Sequence, residues 1–358
     1  MSKNSNGSNK KKGSNRVEYI TLSPDKLITV SPPPHIKSGE TTSTIMLDVI
    51  IALLPAFAWG LYIFGFRALA LTVISVLSCV LFELLYQVIM RKRVTIGDMS
   101  AVVTGILIAF SLPVNTPLWA PAVGAAFAII IVKQLFGGIG KNIVNPALAA
   151  RVFMFLSFEF MRVFHNITAE KLPALKINVD ALVDAIGGPT PLSAEYLKVG
   201  KLPDDIGYFN MFLGEKGGCI GEISVLCLLA GAIYLLWRKI ITWHIPVSFI
   251  GVVAVISFFF PHITVDGLFF ALSQILSGGL FLGAVFMATD YSTSPITKSG
   301  KLIFGAGCGL ITIFLRYFGA HPEGVSFAIL IMNLFVWYID KFTKPVKYGG
   351  NKDDGKSK

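Results

Sequence analysis

The sequence predicts an all-α polytopic membrane protein of about ten transmembrane helices, arranged as a 5+5 inverted repeat with broken helices. Three observations predict it. Only 15% of the 358 residues are charged while 54% are apolar; soluble domains carry about 25% charge, so most of this surface has to face lipid, as the mean hydropathy of +0.68 also implies. The apolar residues gather in ten stretches, most of them near the ~20 residues that a spanning helix needs. The basic residues are sorted by side. With a cytoplasmic amino terminus and a reversal at every span, 22 of the 31 Lys and Arg fall inside and eight outside, Arg151 lying within a span. This is the positive-inside pattern, and it accounts for the net charge of +10 without a nucleic-acid footprint.

Residues 1–44 form a cytoplasmic tail with Lys10-Lys11-Lys12 and Pro32-Pro33-Pro34, expected to be partly disordered and without the early apolar run of a secretory signal. The first half, 45–164, holds stretches at 45–66, 68–90, 98–112, 117–135 and 147–164. The third is short and is followed by Pro113, Asn115 and Pro117, which predicts a broken or re-entrant helix buried in protein. A polar extracytoplasmic loop covers 165–218. The second half, 219–340, holds stretches at 219–237, 243–260, 267–288, 302–318 and 324–340, and a cytoplasmic tail covers 341–358.

A five-span unit must be inverted when it is duplicated, and short matches support such a repeat. Thr104-Gly105 leads through Phe110 to Thr116-Pro117, as Gly278-Gly279 leads through Phe286 to Ser294-Pro295; the next spans end in Lys133 and Arg316, each before a glycine turn. Ligands are then expected near the interface of the halves, beside the broken helices.

Ionisable side chains inside apolar runs need a partner or a wet cavity. Asp48, Glu83 and Glu159 read as helix-end or ion-paired groups, whereas Asp290 opens a Ser, Thr and Pro-rich turn and is a candidate for lining an ion or electron route. The glycine-rich stretch Phe136–Pro146 precedes the fifth span, where free N–H groups suit a ligand. It is neither a P-loop nor a Rossmann turn, since no Ser or Thr follows Gly140-Lys141 and no strand precedes it. Asn142 and Asn145 either bind a heterocycle or cap the helix. Cys79, Cys219, Cys227 and Cys308 lack CxxC spacing and a nearby His, so they read as buried apolar residues and no metal site is indicated. No catalytic dyad is visible. Asp184–Leu192 is, by pattern alone, a turn-rich connector with an exposed Thr190, and Asn166-Ile167-Thr168 is a weak glycosylation match.

Several separated motifs in order carry a resemblance over about residues 40–345: Leu47–Ala56, Phe136 through Asn145-Pro146-Ala147-Leu148-Ala149-Ala150-Arg151, Phe286–Asp290, and His321-Pro322-Glu323-Gly324-Val325. Together they resemble the family of membrane subunits that includes RnfD of the Rnf complex and NqrB of the sodium-pumping NADH:quinone oxidoreductase. The resemblance implies a flavin-carrying electron-relay subunit of a bacterial cytoplasmic-membrane oxidoreductase. That complex passes electrons between ferredoxin and NAD, coupled to Na⁺ or H⁺ translocation, with no stand-alone catalysis by this chain. It implies FMN joined through its phosphate to Thr190 by a separate flavin transferase. The family pattern D-x-x-S/T-G-A-S/T is kept at Asp184, Gly188 and Thr190, with Gly187 and Pro189 at the other two positions. It also implies a non-covalent riboflavin beside Asn142 and Asn145, and gating or ion coupling at Phe286 and Asp290; Lys198 and Lys201 read as solvated surface lysines or as counter-charges to an FMN phosphate. The implied partners are a second covalent-FMN subunit, iron–sulfur membrane subunits, a cytoplasmic NAD-reacting subunit and the lipid bilayer. An NqrB-type quinone-linked subunit, a flavin-free transporter or channel, and a scaffold remain the alternative readings.

Overall fold

The computed structural model describes residues 40–162, 164–165, 187–188, 208–214, 216–261, 266–319 and 323–344. The first half contains α1 (Thr42–Phe64), α2 (Phe66–Ile89), α3 (Ser100–Phe110), α4 (Ala120–Gln134) and α5 (Pro146–Ser157). After the short α6 (Tyr208–Leu213), the second half contains α7 (Val225–Trp237), α8 (His244–Phe259), α9 (Gly267–Leu276), α10 (Leu280–Met287), α11 (Lys298–Phe318) and α12 (Val325–Thr343).

The helix ends follow from local chemistry. Thr41, Ser224 and Thr297 each place a side-chain oxygen on a free N–H of the first turn of α1, α7 and α11. Asn145 does so for α5, with Pro146 in the first turn, where its missing N–H costs nothing. Gly65, at φ 70°, turns α1 directly into α2, a conformation that a side chain would strain. The residues linking α9 to α10 include Gly278 and Gly279 at φ 69° and 65°, and the two helices meet at 58°.

Every one of the ten apolar stretches contains a helix, but the spanning length is met less often than the sequence suggests. Four helices, α1, α2, α11 and α12, are long and apolar enough to cross a membrane alone, and the bent pair α9–α10 makes a fifth. The others are shorter because parts of the apolar runs are not helical. Residues 219–224 approach α7 as a turn whose Ile220 and Gly221 N–H groups donate to Leu112 and Phe110 at the end of α3. Beyond α5 the extended Phe158 ends the helix and Glu159–Arg162 forms a separate 3₁₀ turn. A two-residue antiparallel ladder, Phe164–His165 with Gly187–Gly188, is an addition to the all-helical expectation.

Packing repeats between the halves. α2 packs on α3 and α4 as α8 packs on α9 and α11; α4 packs on α5 as α11 packs on α12; and α1 with α7, and α5 with α12, join the two halves. Close approach sets these contacts: a Cβ on Gly105 would lie 2.7 Å from Val76 Cα, and one on Gly231 would collide with the Ala52 carbonyl. Phe110, Phe249 and Phe304 are fully buried between helices, whereas Leu77, Phe314 and Trp337 are more than 60% exposed on the outside, where a bilayer is the fitting solvent.

Three basic residues that lie at span ends or in loops by sequence are buried in the fold. Arg67 is fully buried and its Nη2 donates to the Thr116 carbonyl (2.8 Å), in the Pro113–Pro117 break. Lys133 is paired inside the protein with Glu83, and Lys216 is buried against the α9–α10 break. Each meets a partner that a solvated loop position would not require.

Candidate functional site

Six helix ends converge on one cavity: the starts of α1, α3 and α5 (Ile45, Ser100, Ala147) and the ends of α4, α7 and α10 (Lys133, Leu235, Phe286). This face, from which α1 sets out, is termed the near face. The cavity encloses about 100 Å³ and is open on one side. Val49, Val103, Leu107, Val285 and Phe286 form apolar walls, while Asn142, Thr289, Asp290 and Ser292 supply polar groups. An apolar body with a clustered polar edge suits an amphiphilic planar ligand.

The structure therefore brings together Asn142, Asn145, Phe286 and Asp290, and it separates their roles. Asn145 is committed: its Oδ1 accepts from Ala147 and Leu148 N–H (3.0 and 3.4 Å), and its Nδ2 donates to Met287 O (3.1 Å). It caps α5 and ties it to α10, while the residue also lines the cavity. Asn142 donates to Ser292 Oγ (3.3 Å), and its buried Oδ1 has no partner among the described residues. Asp290 accepts from Ser292 and Thr293 hydroxyls (2.8 and 3.1 Å), and burial raises its carboxyl above the usual range against the pull of those hydroxyls. Phe286 sits in a π-helical turn, Gly283–Met287, and a second π segment, Phe127–Gln134, carries Lys133 to the same cavity. Such turns recur where a helix presents functional side chains.

Behind the cavity, Lys133 Nζ bonds Glu83 Oε2 (2.8 Å) and Ser100 Oγ (2.6 Å), and Gln134 donates to Glu83 Oε1 (2.8 Å). Sequence reasoning misses Lys133 as a site residue; a lone lysine in the apolar run Ile129–Phe136, with Glu83 in another, is the signal that pairs them. Asp48 is likewise paired, accepting from Tyr234 of α7 (2.7 Å) and from Arg238 at its carboxyl-terminal cap (2.8 Å), and Glu159 is exposed.

A second polar cluster lies at the other face, by the α9–α10 break. Arg151 Nη2 meets Glu323 Oε2 at 2.6 Å and its Nη1 lies 3.9 Å from Glu222 Oε2. Arg316 donates to Gln274 O and Oε1 (2.6 and 3.0 Å) and to Ser277 O (3.2 Å). Ligand atoms of Cys219, Glu222 and Glu323 lie within 4.8 Å of one another, but the Arg151 guanidinium already bridges both carboxylates, so the trio is an ion-pair assembly and not a cation cage.

Thr190, Lys198 and Lys201 lie outside the described residues. The nearest described point is Gly188, which pairs with Phe164 beyond the end of α5, on the side away from the cavity.

Residues 29–349 match the NQR2, RnfD, RnfE family. The chain is 44% identical over 327 residues to the D-type subunit of the Na⁺-translocating ferredoxin:NAD⁺ oxidoreductase complex of Acetobacterium woodii, covering 91% of this chain and 96% of that one. It is 38% identical over 331 residues to the D-type subunit of the proton-translocating ferredoxin:NAD⁺ oxidoreductase complex of Clostridium ljungdahlii (90% and 96% covered). The D-type subunit of an ion-translocating oxidoreductase complex of Escherichia coli is 34% identical over 348 residues (90% and 99% covered). With ten apolar helical stretches, a broken span and a match across most of its length, the chain belongs to the NQR2, RnfD, RnfE family.

Proposed function

We propose that the chain is the D-type membrane subunit of an ion-translocating ferredoxin:NAD⁺ oxidoreductase and works as an electron relay with two flavin positions. One is FMN esterified to Thr190 on the far face, installed by a flavin transferase; the other is riboflavin in the near-face cavity. The reading includes ten membrane segments in a 5+5 inverted repeat, both termini cytoplasmic, and partner subunits carrying a second covalent FMN, iron–sulfur centres and the NAD site. The repeated packing scheme of the two halves supports the repeat.

The observation that carries the proposal is the convergence of Asn142, Phe286 and Asp290, far apart in sequence, on one cavity with apolar walls and an orphaned amide oxygen. These residue types suit an isoalloxazine ring: the unpartnered Asn142 Oδ1 would accept from a ring N–H, Thr289 and Ser292 would offer hydroxyls, and the aliphatic walls would receive the benzenoid edge. Bound flavin would supply one-electron redox chemistry that the side chains lack. The protein supplies position: Asn145 fixes α5 to α10, so the polar edge and Phe286 move as a unit, and the buried Glu83–Lys133 pair fixes α2, α3 and α4 around it. Phe286 and Asp290 stand where gating or ion coupling would act. Two of the relatives described above are named for different ions, so family membership alone does not select Na⁺ or H⁺.

Denaturing extraction of the purified protein, followed by mass spectrometry of released flavin, tests the cavity. About one riboflavin per chain is expected, with occupancy at limiting flavin falling roughly tenfold in Asn142→Leu, the loss of one hydrogen bond of ~1.5 kcal/mol. Extracts without riboflavin, or an unaffected variant, would contradict it.

A further inference from the structure

The far-face cluster holds more positive charge than it neutralises. Among the described residues it gathers Arg151, Lys216 and Arg316 against Glu222 and Glu323, and all but Arg316 are less than a tenth exposed. Among the described residues the cations exceed the carboxylates by one, and a buried excess charge is expensive unless a proton leaves. A guanidinium does not release a proton in proteins, whereas a buried ammonium does. Lys216 is that ammonium, 2% exposed, with its Nζ on the Leu276 carbonyl at the end of α9.

A second, independent feature is a group of unpartnered polar atoms beside it. Glu222 is 4% exposed and accepts from Cys219 N–H through Oε1 (3.1 Å), yet its Oε2 has no hydrogen-bond donor among the described residues. Gly279 at φ 65° packs so close to that oxygen that a Cβ would collide with it. Ser277 Oγ, Thr312 Oγ1 and Arg316 Nε are also buried without partners among the described residues. Orphaned polar atoms grouped around a helix break are the positions that internal water satisfies.

We propose that Lys216 is a proton-exchanging group at the α9–α10 break: its ammonium holds the Leu276 carbonyl at neutral pH and passes one proton to water along the orphaned oxygens as the far face becomes alkaline. The neutral amine that remains keeps one N–H on the same carbonyl, and the cluster then balances, two guanidiniums against two carboxylates. Burial lowers Lys216 to about 8; Glu222 opposes the shift and Arg316 adds to it. Glu323 faces the same cluster, and burial raises it to about 7 while Arg151 pulls it down. Cys219, with its Sγ accepting from Arg151 Nη2 at 3.8 Å, and Tyr317, beside Arg316, are further titratable groups of this cluster among the described residues. The proposal does not depend on flavin at either position.

The test is the apparent melting temperature of the full-length chain, purified in detergent with its accompanying subunits, from pH 7 to 10. In the unfolded chain a lysine titrates near ~10.4, so between about 8 and 10 the unfolded state binds more protons and wild-type stability rises with pH. Lys216→Gln keeps a donor for Leu276 without the charge. It is expected to melt above wild type at pH 7, with a gap that is constant below pH 8 and closes toward pH 10. Lys216→Arg, permanently charged, should match wild type at pH 7 and fail to gain stability above pH 8. A Lys216→Gln gap that does not change with pH, or a variant that fails to fold, would overturn the proposal, because an ammonium that serves only as a structural donor predicts one or the other.

Discussion

Lys133 shows how a single side chain organises the near-face site. Its ammonium is held by Glu83 and Ser100, with side-chain exposures of 3% and 1% for the ion pair, so removing one partner strands a buried charge. Lys133→Met is expected to cost about 3–5 kcal/mol, whereas Lys133→Met combined with Glu83→Gln should recover most of that loss; yield and melting temperature of the two variants check it. At this scale the sequence is partly legible where a charge stands in an apolar run: of Asp48, Glu83 and Glu159, expected to be helix-end or ion-paired groups, the first two are paired and the third is exposed. It is less legible where basic residues flank spans. Arg67, Lys133 and Lys216 satisfy a side-of-membrane count as well as a buried role does, and only the fold shows which carbonyl or carboxylate each meets. Asn145 has the same ambiguity, since capping and ligand binding draw on the same amide, and in the fold it caps α5 while also lining the cavity.

Among the elements, the broken helices carry the site. Pro113, Pro117 and the Gly278-Gly279 pair mark the breaks in sequence, because proline and positive-φ glycine end regular helix. The π-helical turns at Phe127–Gln134 and Gly283–Met287 leave no such mark; an inserted residue changes register without a characteristic composition. Apolar length overestimates helix length, since residues 219–224, at the start of the sixth apolar stretch, fold as a turn against α3. Close helix approach makes two element-scale predictions. Gly105→Leu forces α2 and α3 apart at Val76 and should destabilise by about 1–3 kcal/mol, while Gly97→Ala, which meets nothing within 4 Å, should change stability by no more than about 0.5 kcal/mol. Comparison of their melting temperatures in detergent distinguishes packing from a general intolerance of substitution at glycine.

At the scale of the whole molecule, the near face gathers helix ends around a cavity, and the far face gathers a charge cluster around a break. α10 joins them, with Gly279 beside Glu222 and Met287 bonded to Asn145. The predicted orientation follows from charge sorting: Lys92→Cys should be protected from an impermeant maleimide in intact cells and Lys198→Cys labelled, and the reverse pattern would invert the topology. Composition and the ten apolar stretches make the membrane class legible, and separated motifs in a fixed order make the family legible. Thr190, by contrast, rests on a motif in which two of the patterned positions are Gly187 and Pro189. The most direct measurement is flavin fluorescence under ultraviolet light of the protein band after denaturing electrophoresis, from cells containing the flavin transferase, beside a Thr190→Ala control. The relay account predicts a fluorescent band that goes dark in the variant; a dark wild-type band with an unmodified Thr190 peptide would contradict it.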